Sequence, residues 1–451
     1  MPVALIIHGH FYQPPRENPW TGAVDAEPSA APFHDWNERI HSECYAPNIV
    51  NYPLISFNFG PTLLSWLESN HRDTYEKILR ADWESVAARG GHGNAIAQAY
   101  GHAILPLCNE RDRLTQVLWG LADFRYRFGR EAEALWLPET AANDQVLALL
   151  IEQGMRYVIL APDQAKGVVD TSKPYLFRHP DGSNRSLAVF LYNGPLARAI
   201  AFERALSSSR GLVEKFVSAA AGGGDLVNVA TDGETYGHHF KFGDLCLTHA
   251  LKVEAKSAGF WITNYGQYLD HHPPETEVEI DNGPDGEGSS WSCVHGVGRW
   301  SRDCGCQTNG EPGWNQAWRK PLREALNFLR DAAAEKFEGA GLLRDPWAAR
   351  NDYINVILDP KHAREFDSRV LDLLEMQRSA LLMFTSCGWF FSDLAGIETI
   401  QVLRYAARVI DLMNKLGLDP PLTEFLALLA EAKSNRPDKG NGAEIFLRHI
   451  E

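Results

Sequence analysis

The chain has no surplus of basic residues: 43 Lys and Arg stand against 58 Asp and Glu, a formal net charge of −15 over 451 residues. Nucleic acid and anionic membrane surfaces demand basic patches, so both are excluded as principal partners and a neutral or cationic ligand fits better. No window approaches the roughly 18 apolar residues of a membrane span. The N-terminus has no basic leader. Met1-Pro2-Val3 runs through a short apolar stretch into His8-Gly9-His10 with no small-residue cleavage site, so no secretory signal is expected. Cysteine is sparse and odd in number, seven, which argues against a secreted disulfide framework and for a reducing cytoplasm. Internal repeats are absent too, and no composition points to extensive disorder.

What is present is ordinary globular material, 45% hydrophobic and 22% charged. A chain of this length exceeds the size at which one hydrophobic core stops growing, so a large domain with a smaller appended one is expected. Thirteen Trp and 14 Tyr are many. Flat rings with a polar tip suit the apolar faces of sugars, although plain core packing accounts for most of them.

Short apolar runs without polar alternation recur between amphipathic stretches, which is how buried parallel strands and their crossover helices read. Seven such runs occur: 3–7, 54–59, 94–99, 134–137, 157–161, 187–192 and 226–231. Between them the spacing of Leu114, Val117, Leu118 and Leu121, or of Val146, Leu149 and Leu150, sets one apolar helical face. The pattern predicts βα units around a parallel barrel or sheet. Pro180-Asp181-Gly182 marks a hairpin-like insertion before the sixth run. From about 282 to 312 the chain is rich in Gly, Ser, Cys and Trp and has no periodicity, a long loop of the kind that is usually functional. After Pro321 the pattern turns helical, over 322–337, 366–384, 397–416 and 422–432.

Polar clusters stand directly after the strands, where parallel barrels gather catalytic groups. After the first come His8, His10 and Gln13; after the third, Gln98 to His102; after the fourth, Trp136-Leu137-Pro138-Glu139; after the seventh, Asp232-Gly233-Glu234 and then His238-His239. His8 and His10 project to one side of a strand and could hydrogen-bond a ligand or hold a metal, although such a pair is more often structural. Glu139 alone reads as a surface carboxylate. At a barrel mouth walled by Trp136 it has better prospects.

The segments His8-Gly9-His10 with Gln13-Pro14, His102-Ala103-Ile104-Leu105-Pro106, Trp136-Leu137-Pro138-Glu139 and Asp232-Gly233-Glu234 resemble, in order and spacing, the successive regions of glycoside hydrolase family 57. The resemblance covers roughly 240 residues and implies an incomplete (β/α)7 barrel followed by a C-terminal helical domain, here 1–315, including loop 283–314, and 316–451. It implies a retaining glycosidase or transglycosylase acting on α-1,4 or α-1,6 bonds of α-glucans, with Glu139 as nucleophile and Asp232 as acid/base. Such a pair requires carboxyl groups about 5–5.5 Å apart and environments that push their pKa values apart. It also implies that His8, His10 and His102 hydrogen-bond sugar hydroxyls or the nucleophile, with Gln13, Trp136, Glu234 and His238 beside them, and that no cofactor or metal is needed. Thr385 to Asp393 is similar to the family's last, aromatic region, which brings in Trp389 and Asp393. With Trp291 and Trp300 of the long loop these aromatics are expected to stack on sugar. The Cys387-Gly388 pair departs from the commoner form, and the 290–306 segment resembles a bacterial subgroup whose members tend to be longer.

Two rivals remain at this level. A metal-dependent polysaccharide deacetylase needs an Asp-Asp pair and a His-x-x-x-His element, neither of which occurs. A non-catalytic glucan-binding protein would have no reason to keep both acids. Cys293, His295, Cys304 and Cys306 could supply four zinc ligands, but Cys-x-Cys is tight for one tetrahedral ion, so reduced thiols in a Trp-rich loop are the preferred reading.

Overall fold

The computed structural model describes residues 2–449. Two compact units divide the chain: Met1–Gln13, Ala26–Gln98 and Phe124–Asn282 form the first, and Pro14–Asp25, Ala99–Asp123 and Gly283–Glu451 the second. The 283–314 segment, attached to the first domain in the sequence reading, falls within the second unit.

The first unit is an incomplete (β/α)7 barrel. In chain order its strands are β1 (Ala4–Phe11), β2 (Ser56–Phe59), β3 (Ala97–Gln98), β4 (Leu135–Trp136), β5 (Tyr157–Leu160), β6 (Tyr175–Arg178), β7 (Ser186–Leu191), β8 (Leu226–Asp232) and β9 (Trp261–Ile262). Every residue of β1 is buried, as a strand covered on both faces of a parallel sheet must be. β1 pairs in parallel with β2, His8 facing Ser56, and with β8, Ala4 facing Leu226 and His10 facing Asp232. A bridge from Phe57 to Ala95 continues from β2 toward β3, β3 pairs with β4, a bridge from Ala134 to Tyr157 leads to β5, and β5 pairs with β7. Bonds from Asn193 N–H to the Asn228 carbonyl (2.8 Å) and from Asn228 Nδ2 to the Leu191 carbonyl (3.2 Å) tie the β7 end back to β8. All seven predicted runs are strands. β6 lies antiparallel on β7, the predicted hairpin, and β9, only two residues long, adds to the N-terminal half of β1.

The crossover helices begin where side chains cap them. Asn143, Asn193, Ser208 and Asn264 accept from the N–H groups of Val146, Leu196, Gly211 and Gln267, which satisfies donors that the first turn leaves free.

The second unit is helical: Arg319–Gly339, Pro346–Asp352, Ile354–Leu358, Ser368–Leu382, Ile397–Leu416, Leu422–Leu429 and Gly442–His449. The 397–416 helix buries Leu403, Ala406, Ile410 and Met413, the i, i+3, i+7 stripe of a helix against a core, and ends on Gly417 at φ 73°. Arg350 is buried and donates to Asp112 at 2.7 Å and to Thr115 at 2.8 Å, which joins the 99–123 segment to this unit. Among the described residues no helix is long and apolar enough to cross a membrane.

Candidate active site

The C-terminal end of β1 carries His8 and His10, both nearly inaccessible. His8 Nδ1 lies 2.9 Å from Ser56 Oγ and its Nε2 lies 3.1 Å from Asn58 Oδ1. His10 Nδ1 sits between the Asn58 amide atoms, and Asn58 Nδ2 donates to Gln98 Oε1 at 2.7 Å. Trp136, at the end of β4, stacks on both imidazoles with ring centroids 4.8 and 5.0 Å apart. Burial pushes both histidines down to about 3, so they are neutral at physiological pH. The sequence reading offers His8 as a ligand contact. Instead, both of its ring nitrogens are committed to Ser56 and Asn58, and it serves to hold β1, β2 and Trp136 in register.

Glu139 occupies a short 3-10 turn, Pro138–Thr140, directly after β4, in left-handed backbone (φ 58°, ψ 23°), and Thr140 follows at φ 50°. Two consecutive non-glycine residues in that region cost about 1–3 kcal/mol each and persist only where the surroundings over-determine them. Gln164, from the turn after β5, does so: its Oε1 accepts from Thr140 Oγ1 and its Nε2 donates to the Thr140 carbonyl, both at 2.8 Å. Glu139 is thereby aimed by a strained turn while remaining half-buried.

Asp232 ends β8. Its carboxyl reaches solvent, yet protein surrounds it closely enough that lost hydration raises its pKa well above the usual carboxylate range; the charges of Glu234 and Glu139 add to the rise. Glu234, buried in the turn that follows, accepts through Oε1 from Tyr45 Oη (2.7 Å) and from Tyr12 N–H (3.0 Å). Burial outweighs these bonds and pushes Glu234 up to about 7. Tyr45 closes a π-helical turn, His41–Tyr45, a feature common at functional sites. His238 is paired through Nδ1 with the Glu43 carboxylate of the same turn, and the Gln13 amide donates to the Tyr12 carbonyl at 3.0 Å.

The other predicted contacts belong to the second unit. His102 (φ 52°) places Nδ1 2.7 Å from Ser386 Oγ, and Trp291 is half-buried. Trp300 and Trp389 are completely buried. The Trp389 indole donates to the Arg319 carbonyl at 3.3 Å and the Arg323 guanidinium lies 4.4 Å from its ring centroid. Neither ring leaves a face for a sugar, which corrects the expectation of stacking platforms. Asp393 is likewise occupied, accepting from Ser434 Oγ (2.9 Å), Asn435 N–H (2.7 Å) and Arg436 Nε (3.3 Å).

Sequence reasoning passed over Asn58, Ser56 and Tyr45. Asn58 had a readable signal, an amide between two phenylalanines in a fully buried strand. Tyr45 had none.

A parallel barrel with acids gathered at the C-terminal ends of its strands is the arrangement of a (β/α)-barrel acid/base enzyme. Residues 25–281 match the model of glycosyl hydrolase family 57, more than half of the chain, and the chain belongs to that family. Residues 314–451 match a domain of unknown function, DUF3536. Alpha-amylase 1 of Dictyoglomus thermophilum is 27% identical over 130 residues, 27% of this chain and 18% of that protein. The 4-alpha-glucanotransferase of Thermococcus litoralis is 29% identical over 128 residues, again 27% and 18%. The matched stretch thus spans under a fifth of these curated relatives. Among solved structures, an exo-type maltose-forming amylase from Pyrococcus sp. ST04 aligns over 94% of this chain and 82% of its own with a TM-score of 0.72 and 14% identity. A branching enzyme from Pyrococcus horikoshii aligns over 100% and 97% with a TM-score of 0.61 and 16% identity. At these identities the structural likeness is one of fold.

Proposed function

We propose that the chain is a retaining, α-glucan-active glycosidase or transglycosylase with Glu139 as nucleophile and Asp232 as general acid/base. The observation that carries this reading is the setting of Asp232 at the end of β8. Lost hydration, with the charges of Glu234 and Glu139, shifts Asp232 toward its protonated form, the direction that a proton donor to a leaving oxygen needs. The amylases and the glucanotransferase among its relatives support α-glucan as the substrate class.

In the first step the Glu139 carboxylate attacks the anomeric carbon, the glycosidic C–O bond breaks, and the Asp232 proton passes to the leaving oxygen. In the second, Asp232 as carboxylate takes a proton from the acceptor hydroxyl, which attacks the same carbon and frees Glu139. Two inversions give retention. Water as acceptor gives hydrolysis, and a sugar hydroxyl gives transfer or branching; all share the first step.

The test uses α-glucosyl fluoride, whose leaving group needs little protonation. Glu139→Ala should lose at least about 10^4-fold in turnover, and azide should restore a product of inverted configuration. Asp232→Ala should lose about 10^2–10^4-fold on maltooligosaccharides and much less on the fluoride, and azide should give a product of retained configuration. Exchanged outcomes would swap the roles, and full activity in either variant would refute the assignment.

A further inference from the structure

We propose that Cys293, His295, Cys304 and Cys306, in the 283–314 segment of the second unit, form a structural zinc site. One ligand atom from each lies within 4.8 Å of every other. Cys293 Sγ is 3.9 Å from Cys304 Sγ and 3.8 Å from Cys306 Sγ, and Cys306 Sγ is 3.5 Å from His295 Nδ1. A tetrahedral ion with metal–sulfur bonds of about 2.3 Å and a metal–nitrogen bond of about 2.0–2.1 Å has sulfur–sulfur edges of about 3.8 Å and sulfur–nitrogen edges of about 3.6 Å. The three separations are the edges of such a tetrahedron. Three sulfurs and an imidazole in that shape select zinc over harder ions.

The objection to Cys-x-Cys is that one intervening residue holds the two sulfurs apart. Gly305 removes it: its backbone at φ 78°, a conformation glycine adopts without penalty, reverses the chain between Cys304 and Cys306. On the other arm, Gly296 at φ 76° follows Cys293-Val294-His295, and its carbonyl accepts from Ser290 Oγ at 2.7 Å.

A second observation is independent of the ligands. Arg319 is fully buried, its Nη1 donates to the Cys306 carbonyl at 2.7 Å and its Nη2 reaches only the Phe390 and Phe391 carbonyls at 3.5 Å. Among the described residues no carboxylate pairs with it, and a buried cation needs a counter-charge. Zinc with three thiolates and a neutral imidazole carries one net negative charge beside this guanidinium. Binding releases the three thiol protons to solvent. All four positions are taken by protein, so the ion pins a loop built on short 3-10 turns, Pro284–Gly286 and Gly298–Trp300, to the start of the 319–339 helix and carries out no chemistry of its own.

The experiment is elemental analysis of the full chain purified under reducing conditions, with one zinc per chain expected. Cys304→Ser/Cys306→Ser should lower that stoichiometry at least about tenfold. Cobalt replacing zinc in the parent should give thiolate charge-transfer and tetrahedral d–d bands, whose absence would count against the site. If the double variant does not fold, chelator titration of the parent decides: zinc removal should expose three thiols to a thiol reagent and lower the melting temperature, and zinc addition should reverse both. A reduced parent that takes up neither zinc nor cobalt, a disulfide among these cysteines, or zinc retained by the double variant would overturn the proposal.

Discussion

Glu234 accepts two hydrogen bonds through one oxygen and is still pushed up to about 7 by burial. That combination has two consequences. Its charge is one of those that raise Asp232, so Glu234→Gln, which keeps the acceptor for Tyr45 and Tyr12, should lower the Asp232 pKa. Activity that requires protonated Asp232 is lost as pH rises through that pKa, so the alkaline limb of kcat/KM should move to lower pH in the variant; an unmoved limb would disconnect the two residues. Stability changes as well. The unfolded chain releases the Glu234 proton near 4.5 and the folded chain near 7, so the native state binds more protons in between and stability falls as pH rises through that window. The variant should escape this loss of about 3 kcal/mol at most, read as a growing difference in denaturation midpoint from pH 4.5 to 7. The acids themselves were legible in the sequence because they follow strand patterns. The pairing of Glu234 with Tyr45 was not, since 189 residues separate them and no periodicity encodes such a contact.

The turns after the strands are the next level. Gly237 sits at φ 147°, and a Cβ there would meet the Glu43 carbonyl at 2.3 Å. Backbone cannot yield as a side-chain tip can, so Gly237→Ala should push the π-helical His41–Tyr45 turn from the 233–239 segment and draw Tyr45 off Glu234. The expected outcome is a loss of about 2–4 kcal/mol in stability, with a fall in kcat in whatever fraction stays folded. Unchanged stability would mean that the π-helical turn is free to move. The seven parallel strands were readable because their two-sided burial leaves continuous apolar runs. The π-helical turn was not, because its residues fit an ordinary helix equally well. Trp300 and Trp389 were read as sugar platforms for the same reason that they are core: a large ring near polar residues has one sequence signature and two uses.

At the scale of the molecule, the net charge of −15 is compatible with a neutral polymer as substrate, and the match to glycosyl hydrolase family 57 covers residues 25–281. What sequence could not supply was why Asp232 is raised, since that depends on burial and on charges brought together by folding. The central claim is the covalent role of Glu139. Asp232→Ala incubated with α-glucosyl fluoride should accumulate a glycosyl-enzyme, because its second step lacks a base. Intact mass followed by peptide mapping should place one hexosyl group on the peptide containing Glu139. Label on Asp232 or Glu234 in the corresponding parent or variant experiments, or none while β-configured product forms, would contradict the account.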